Sequence, residues 1–149
     1  MKLEDEIRQA RFTSSKQKAT LNIIFTAAWI NTRIRDLLKP YDLTPQQYNV
    51  LRILKGRHPN SANPGEIKEV MLDKNPDLTR LCDRLSKSGL ISRTIDRSNR
   101  RKMNIRISEK GMNMLETLQP IMQSVDNSLL TLSDKESEAL SDLLDKLRG

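Results

Sequence analysis

Residues 75–107 read NPDLTRLCDRLSKSGLISRTIDRSNRRKMNIRI, and this stretch decides the fold. Leu78, Leu81, Cys82 and Leu85 recur at i, i+3, i+4 and i+7, a spacing that places four apolar side chains on one helical face. Asn75 as N-cap and Pro76 at the first helical position open that helix, and Gly89 ends it just after Ser88. Ile91, Arg93 and Ile95 then alternate with Ser92 and Thr94, and Met103, Ile105 and Ile107 alternate with Asn104 and Arg106. Period two over five residues predicts a pair of strands. Their connection, DRSNRR, is polar, carries three arginines and offers nothing to a core, so it is expected to project into solvent.

The other face of the helix carries Asp77, Thr79, Arg80, Asp83, Arg84 and Lys87, short or cationic groups suited to base edges and phosphates. Just upstream, the segment NPGEIKEVML predicts a short helix with Ile67, Val70 and Met71 inward, joined to the next by a tight turn. Two short helices so joined form a helix-turn-helix. Such a motif lays its second helix in the major groove of double-stranded DNA, where a helix fits and each base pair shows a distinct donor and acceptor pattern. Arg80 and Arg84, four apart, can donate paired bonds to guanine or phosphate. Thr79 is short enough to meet a thymine methyl or a phosphate near the helix start. Asn75, Asp77, Thr79, Arg80, Arg84 and Lys87 are therefore the expected contacts, with Arg97, Arg100 and Arg101 of the hairpin tip reaching an adjacent minor groove.

On the N-terminal side, YDLTPQQYNVLRILKG predicts a helix opened by Thr44 and Pro45, with Tyr48, Leu51 and Leu54 inward, ending near Gly56. Before it, a long helix from Ser15 to about Leu38, stopped by Pro40, is apolar on more than one side: Leu21, Ile24, Phe25, Ala28 and Trp29, then Ile23, Ala27, Ile30 and Ile34. Its own core cannot cover all of these, and a second subunit is expected to. On the C-terminal side, Ser108 caps a helix bearing Met112, Leu115 and Leu118 that Pro120 is expected to kink or interrupt. Ser133 and Glu136 form a capping box for a last helix with Leu140, Leu143, Leu144 and Leu147 on one face. The expectation is one mainly α domain with a small β-hairpin over 1–149: four helices, a hairpin, two helices. Its winged helix-turn-helix lobe is residues 40–107, flanked by the helices of residues 15–39 and 108–149.

The charge distribution agrees. Of a formal net +7, residues 75–110 hold ten Lys and Arg against four Asp and Glu, whereas residues 111–149 hold three against seven. A basic middle and an acidic tail suit a molecule with one face toward a polyanion. One cysteine and one histidine exclude an internal disulfide and a Cys- or His-based metal cluster. There is no Gly-rich phosphate loop, nucleophile elbow or carboxylate pair set to work with a histidine, so neither a cofactor nor catalysis is expected. The polar N-terminus lacks a signal-peptide core, and the longest apolar run, residues 23–30, is too short for a bilayer. The expected compartment is the cytoplasm, with no membrane contact.

The runs LTPQQYNVLRIL, DLTRLCDRLSKSGLISR and DRSNRRKMNIRISEKG, in that order, and the closing LSDKESEALSDLLDKLR resemble the MarR (multiple antibiotic resistance regulator) family over roughly residues 17–148. The resemblance implies a bacterial regulator that binds short inverted repeats as a homodimer with intertwined terminal dimerisation helices (15–39 and 108–149), and a repressor is the expected kind. It also implies that Thr79 and Arg80 make recognition-helix contacts and that Arg101 is the wing-tip arginine. One departure is Asn99, which stands where the family's wing usually has Asp.

Two residue groups carry competing readings. Cys82 lies on the apolar stripe, so a buried structural thiol is preferred to a redox sensor. Phe25 and Trp29 are read first as core, and second as the lining of a small aromatic-effector pocket between the dimer helices and the DNA-binding lobe, as the resemblance implies. The rival function is a winged helix used for protein contact or for sequence-independent DNA packaging.

Overall fold

The computed structural model describes residues 1–95, 103–128 and 131–149. Helix α1 spans Leu3–Glu6, α2 Ser15–Leu38, α3 Pro45–Arg57, α4 Pro64–Val70 and α5 Leu78–Lys87. Strands β1 (Ile91–Ile95) and β2 (Met103–Ile107) follow, then α6 (Glu109–Ser128) and α7 (Asp134–Arg148). The strands pair antiparallel, Ile91 opposite Ile107 and Ile95 opposite Met103.

Local chemistry sets the helix starts. Ser14 Oγ accepts from Gln17 N at 3.1 Å. Thr44, Asn63 and Ser133 each complete a reciprocal capping box, with Gln47, Glu66 and Glu136 respectively. Pro40 sits in a 3₁₀ turn, Lys39–Tyr41, which ends at Asp42 in the left-handed conformation (φ 54°) and turns the chain from α2 into α3.

The core lies between α3, α4, α5, the hairpin and α6, with Leu51, Ile67, Met71, Leu85, Ile105 and Leu118 at its centre. The end of α2 enters it through Leu38, and α6 packs on both α2 and α3. Gly111, at the start of α6, lies so close to the chain before β1 that a Cβ there would stand 2.3 Å from the Leu90 carbonyl oxygen.

Three expectations change and two features are new. Helix α5 starts at Leu78 with Asp77 as N-cap, not at Pro76 with Asn75, because Asp77 Oδ1 takes the Arg80 N–H (3.2 Å) while Asn75 N is bound by Asp73 Oδ1 (2.9 Å). Val70 is 52% exposed; α4 ends there, and Ile67 and Met71 alone fill the core side. Pro120 does not interrupt α6: it is on the exposed side, where water can reach the carbonyl its missing N–H leaves unpaired, while Leu118 and Val125 are buried. A further turn of helix, α1, is present near the N-terminus. Finally, Ala62 joins the hairpin edge, its N and O bonded to Ile105 O and N at 2.9 and 2.8 Å.

Helices α2 and α7 are the underpacked elements. Ile23 and Ile24 are exposed on α2, and α7 buries no residue, leaving Leu140, Leu143 and Leu147 46–68% exposed. Among the described residues no helix is long and apolar enough to cross a membrane.

Candidate nucleic-acid interface

Helix α5 is built to present one face. Leu78, Leu81, Cys82 and Leu85 are all under 10% exposed, and Thr79, Arg80, Arg84 and Lys87 all lie on the surface. At 100° per residue, Arg80 and Lys87 point most directly away from the buried stripe. Thr79 and Asp83 fall on one flank, Arg84 and Ser88 on the other.

Both ends of α5 are fixed. At the C-terminus Gly89 takes φ 72°, Leu90 N reaches Leu85 O (2.9 Å) and Gly89 N reaches Ser86 O (3.0 Å), a Schellman arrangement. Ser108 Oγ donates to Gly89 O at 2.6 Å, and Lys110 Nζ donates to Ser88 O at 2.7 Å, so the first residues of α6 hold this turn. At the N-terminal side, Leu72 N donates to Asn49 Oδ1 (3.0 Å) and Gln46 bonds Asp73, tying the α4–α5 turn to α3. On the strand side, Arg93 Nη1 of β1 meets Asp83 Oδ1 at 2.6 Å. This places an acid–base strut between α5 and the hairpin.

The expected contacts therefore divide. Thr79, Arg80, Arg84 and Lys87 share one exposed surface. Asp77 is exposed but acts as a cap, and Asn75 precedes the helix in the turn. Arg97, Arg100 and Arg101 lie outside the described residues. Cys82 is 3% exposed and burial pushes its thiol pKa up, which disfavours the reactive thiolate. Arg93 was missed by sequence reasoning; its signal was an arginine on the inward-pointing register of β1, where only a partner makes a charge tolerable.

Phe25 and Trp29 are not core. They are half-buried and line an open hollow of about 190 Å³ against Met1, Leu3 and Glu6 of the N-terminal segment, away from the α5 surface. The Arg33 guanidinium stacks 4.9 Å above the Trp29 ring. One side of the hollow is α1 and the residues before it, and no residue of 40–107 lines it.

A helix-turn-helix followed at once by a two-stranded hairpin, carried on long terminal helices, defines a winged helix-turn-helix protein. The MarR family model matches residues 43–103, which run from the α3 cap into β2. A MarR transcription factor from Planctomyces limnophilus, known from its crystal structure, is 32% identical, with 91% of this chain and 98% of that one aligned at a TM-score of 0.70. The chain belongs to the MarR family. The S. aureus MepR–DNA complex shares the fold at a TM-score of 0.78, with 22% identity over 92% of this chain and 97% of that one. The HTH-type transcriptional regulator PapX of Escherichia coli is 32% identical over 78 residues, 52% of this chain and 48% of its own length.

Proposed function

We propose that the protein is a sequence-specific transcription regulator, a repressor by preference, that binds an inverted-repeat site in double-stranded DNA as a homodimer. The observation that carries the reading is α5. It is a helix with four apolar residues buried beneath it and an outer face of Thr79, Arg80, Arg84 and Lys87, clamped at both ends in a member of the MarR family. MepR, which shares the fold, is known in complex with DNA, and this supports the same use here. In this reading Arg80 and Lys87 face the groove floor, Thr79 meets its wall, and Arg97, Arg100 and Arg101 extend the contact into the minor groove.

Homodimerisation follows from the uncovered apolar faces. A 15-residue helix such as α7, with nothing buried, is marginal in water by itself, since isolated helices of ~12–15 residues barely form. Burying Leu140, Leu143 and Leu147 against α2 and α7 of a second copy supplies the missing packing, so residues 15–39 and 108–149 are assigned to the dimer frame and 40–107 to the DNA-binding lobe. The two α5 helices should then lie roughly 34 Å apart, one turn of DNA. A small aromatic effector in the Phe25–Trp29 hollow is a further part of the proposal. The Phe25 and Trp29 rings and the Lys2 side chain line the hollow and suit an aromatic acid.

The test is a gel shift against the promoter region beside the protein's own gene and against a random-sequence selection library, with excess competitor DNA. Competitor-resistant binding to an inverted repeat supports the proposal. Binding that competitor erases on both pools would mean packaging or protein contact instead.

A further inference from the structure

Beside α5 a cleft of about 450 Å³ opens between the end of α2, the turn into α3 and the last turn of α5. Its charged lining is Arg35, Lys39, Arg84 and Lys87 against the single carboxylate of Asp42. None of the four cations is in an ion pair among the described residues. Arg35 and Lys39, four apart, share one face of α2 and its continuing turn, and Arg84 with Ser88 is the flank of α5 that turns toward them.

The simplest account of cations at helix ends is that they offset the helix dipole. It falls short here. Two helix C-termini contribute roughly half a negative charge each. With Asp42 that makes about two negative charges against four positive ones, and the N-terminus of α3 at Thr44 adds to the positive side. About two positive charges remain without compensation in one cleft. An arrangement of this kind repels itself unless an anion enters, and a phosphodiester backbone, with one charge per ~1.7 Å of duplex, is the polyanion that already lies alongside α5 in the reading above.

We infer that this cleft is a second DNA contact, in which Arg35 and Lys39 bind backbone phosphate flanking the bases read by α5. The inference rests on the DNA-binding reading and extends its footprint onto the helical frame. Arg35 and Lys39 lie outside the segment matched by the family model, residues 43–103. Phosphate contacts position without reading sequence. The cleft therefore adds affinity and fixes the angle of α5 in the groove, while discrimination stays with Arg80 and its neighbours.

The experiment compares the wild type with the double variant R35Q/K39Q, both exposed positions, by fluorescence anisotropy on a selected inverted repeat across a salt series. Circular dichroism confirms folding. Arg35 and Lys39 together hold one phosphate in each subunit, so the dimer loses two contacts, and the log–log salt slope should become shallower by about 2 with binding about thirtyfold weaker near 0.15 M salt, at ~0.9 counterions per contact. The ratio of specific to competitor binding should stay the same. An unchanged slope and Kd, with wild type binding normally, overturns the inference and leaves the DNA reading intact. Wild type that binds no duplex overturns both. A pyrophosphate-induced rise in Tm that the variant loses, together with an unchanged DNA slope, would assign the cleft to a small free anion and equally overturn it.

Discussion

Replacing Gly111 by Ala tests the way the DNA-binding lobe is fixed to its frame. The new Cβ would stand 2.3 Å from Leu90 O and 2.7 Å from Ile107 Cγ1. An ordinary carbon–oxygen contact needs ~3.2 Å or more, so α6 or the chain before β1 must give by about 1 Å in an interior packed as densely as an organic crystal. The opposing atom is a backbone carbonyl next to the Gly89 turn, which Ser108 and Lys110 hold by hydrogen bonds, so it cannot swing aside as a side chain would. Overpacking costs about 1–3 kcal/mol, and a backbone opponent puts this case near ~3. The gain in helix propensity from Gly to Ala returns at most about 1 kcal/mol. The net is a loss of about 2 kcal/mol, equivalent to a Tm roughly 4–8 °C lower for a chain of this size. Differential scanning calorimetry on the variant decides it. An unchanged or higher Tm would mean that propensity outweighs the contact, and the close seating of α6 on Leu90 would be wrong.

Other consequences can be measured independently. Arg93→Ala removes the strut to Asp83; because both groups are partly exposed, global stability should fall by no more than about 1 kcal/mol, while operator affinity drops severalfold, and equal losses in the two assays would refute a positioning role. Leu143→Glu puts a charge on the uncovered face of α7 and should shift the sedimentation profile toward monomer; a profile like wild type would remove α7 from the interface. The Glu136 carboxylate is held below its ordinary pKa by hydrogen bonds from the Ser133 backbone and hydroxyl, so its cap is complete above the ordinary carboxylate value and is lost as pH falls through the lowered one. The protection factors of the amides in the first turn of α7, corrected for the intrinsic pH dependence of exchange, should fall across that acidic window in wild type and much less in Glu136→Gln. Cys82, buried with its pKa raised, should react with a thiol reagent only on the timescale of unfolding, and rapid labelling would contradict its place in the core.

The fold was legible where periodicity and punctuation coincided. The α5 stripe, its Gly89 stop, the two strands and the Ser133 box follow from residues within a few positions of each other, and the structure has them all. Errors came where one local signal competed with another. Pro76 suits a first helical turn, but the Asp73 and Asp77 carboxylates between them capture the backbone N–H groups of Asn75 and Arg80 and move the start two residues on. Pro120 signals a kink or an interruption, and the helix is not interrupted because Pro120 is on the side of α6 that meets water, which sequence does not reveal. Long-range pairs left no trace in spacing: Ala62 on Ile105, Gln46 on Asp73, and the convergence of Arg35 and Lys39 on Arg84 and Lys87 exist only once α2, α3 and α5 are packed. Phe25 and Trp29 illustrate the same limit, since their hollow depends on α1 folding back over α2.

The central claim is that α5 reads base sequence through its outer face. It is tested most directly by measuring wild type and Arg80→Ala against a selected inverted repeat and its full set of single base-pair substitutions. The account predicts that the variant loses discrimination of about 1–3 kcal/mol at one base pair in each half-site and keeps it elsewhere. A variant whose preferences match wild type at every position, weakened uniformly or not at all, would contradict the claim and reduce Arg80 to a phosphate contact or a solvated charge.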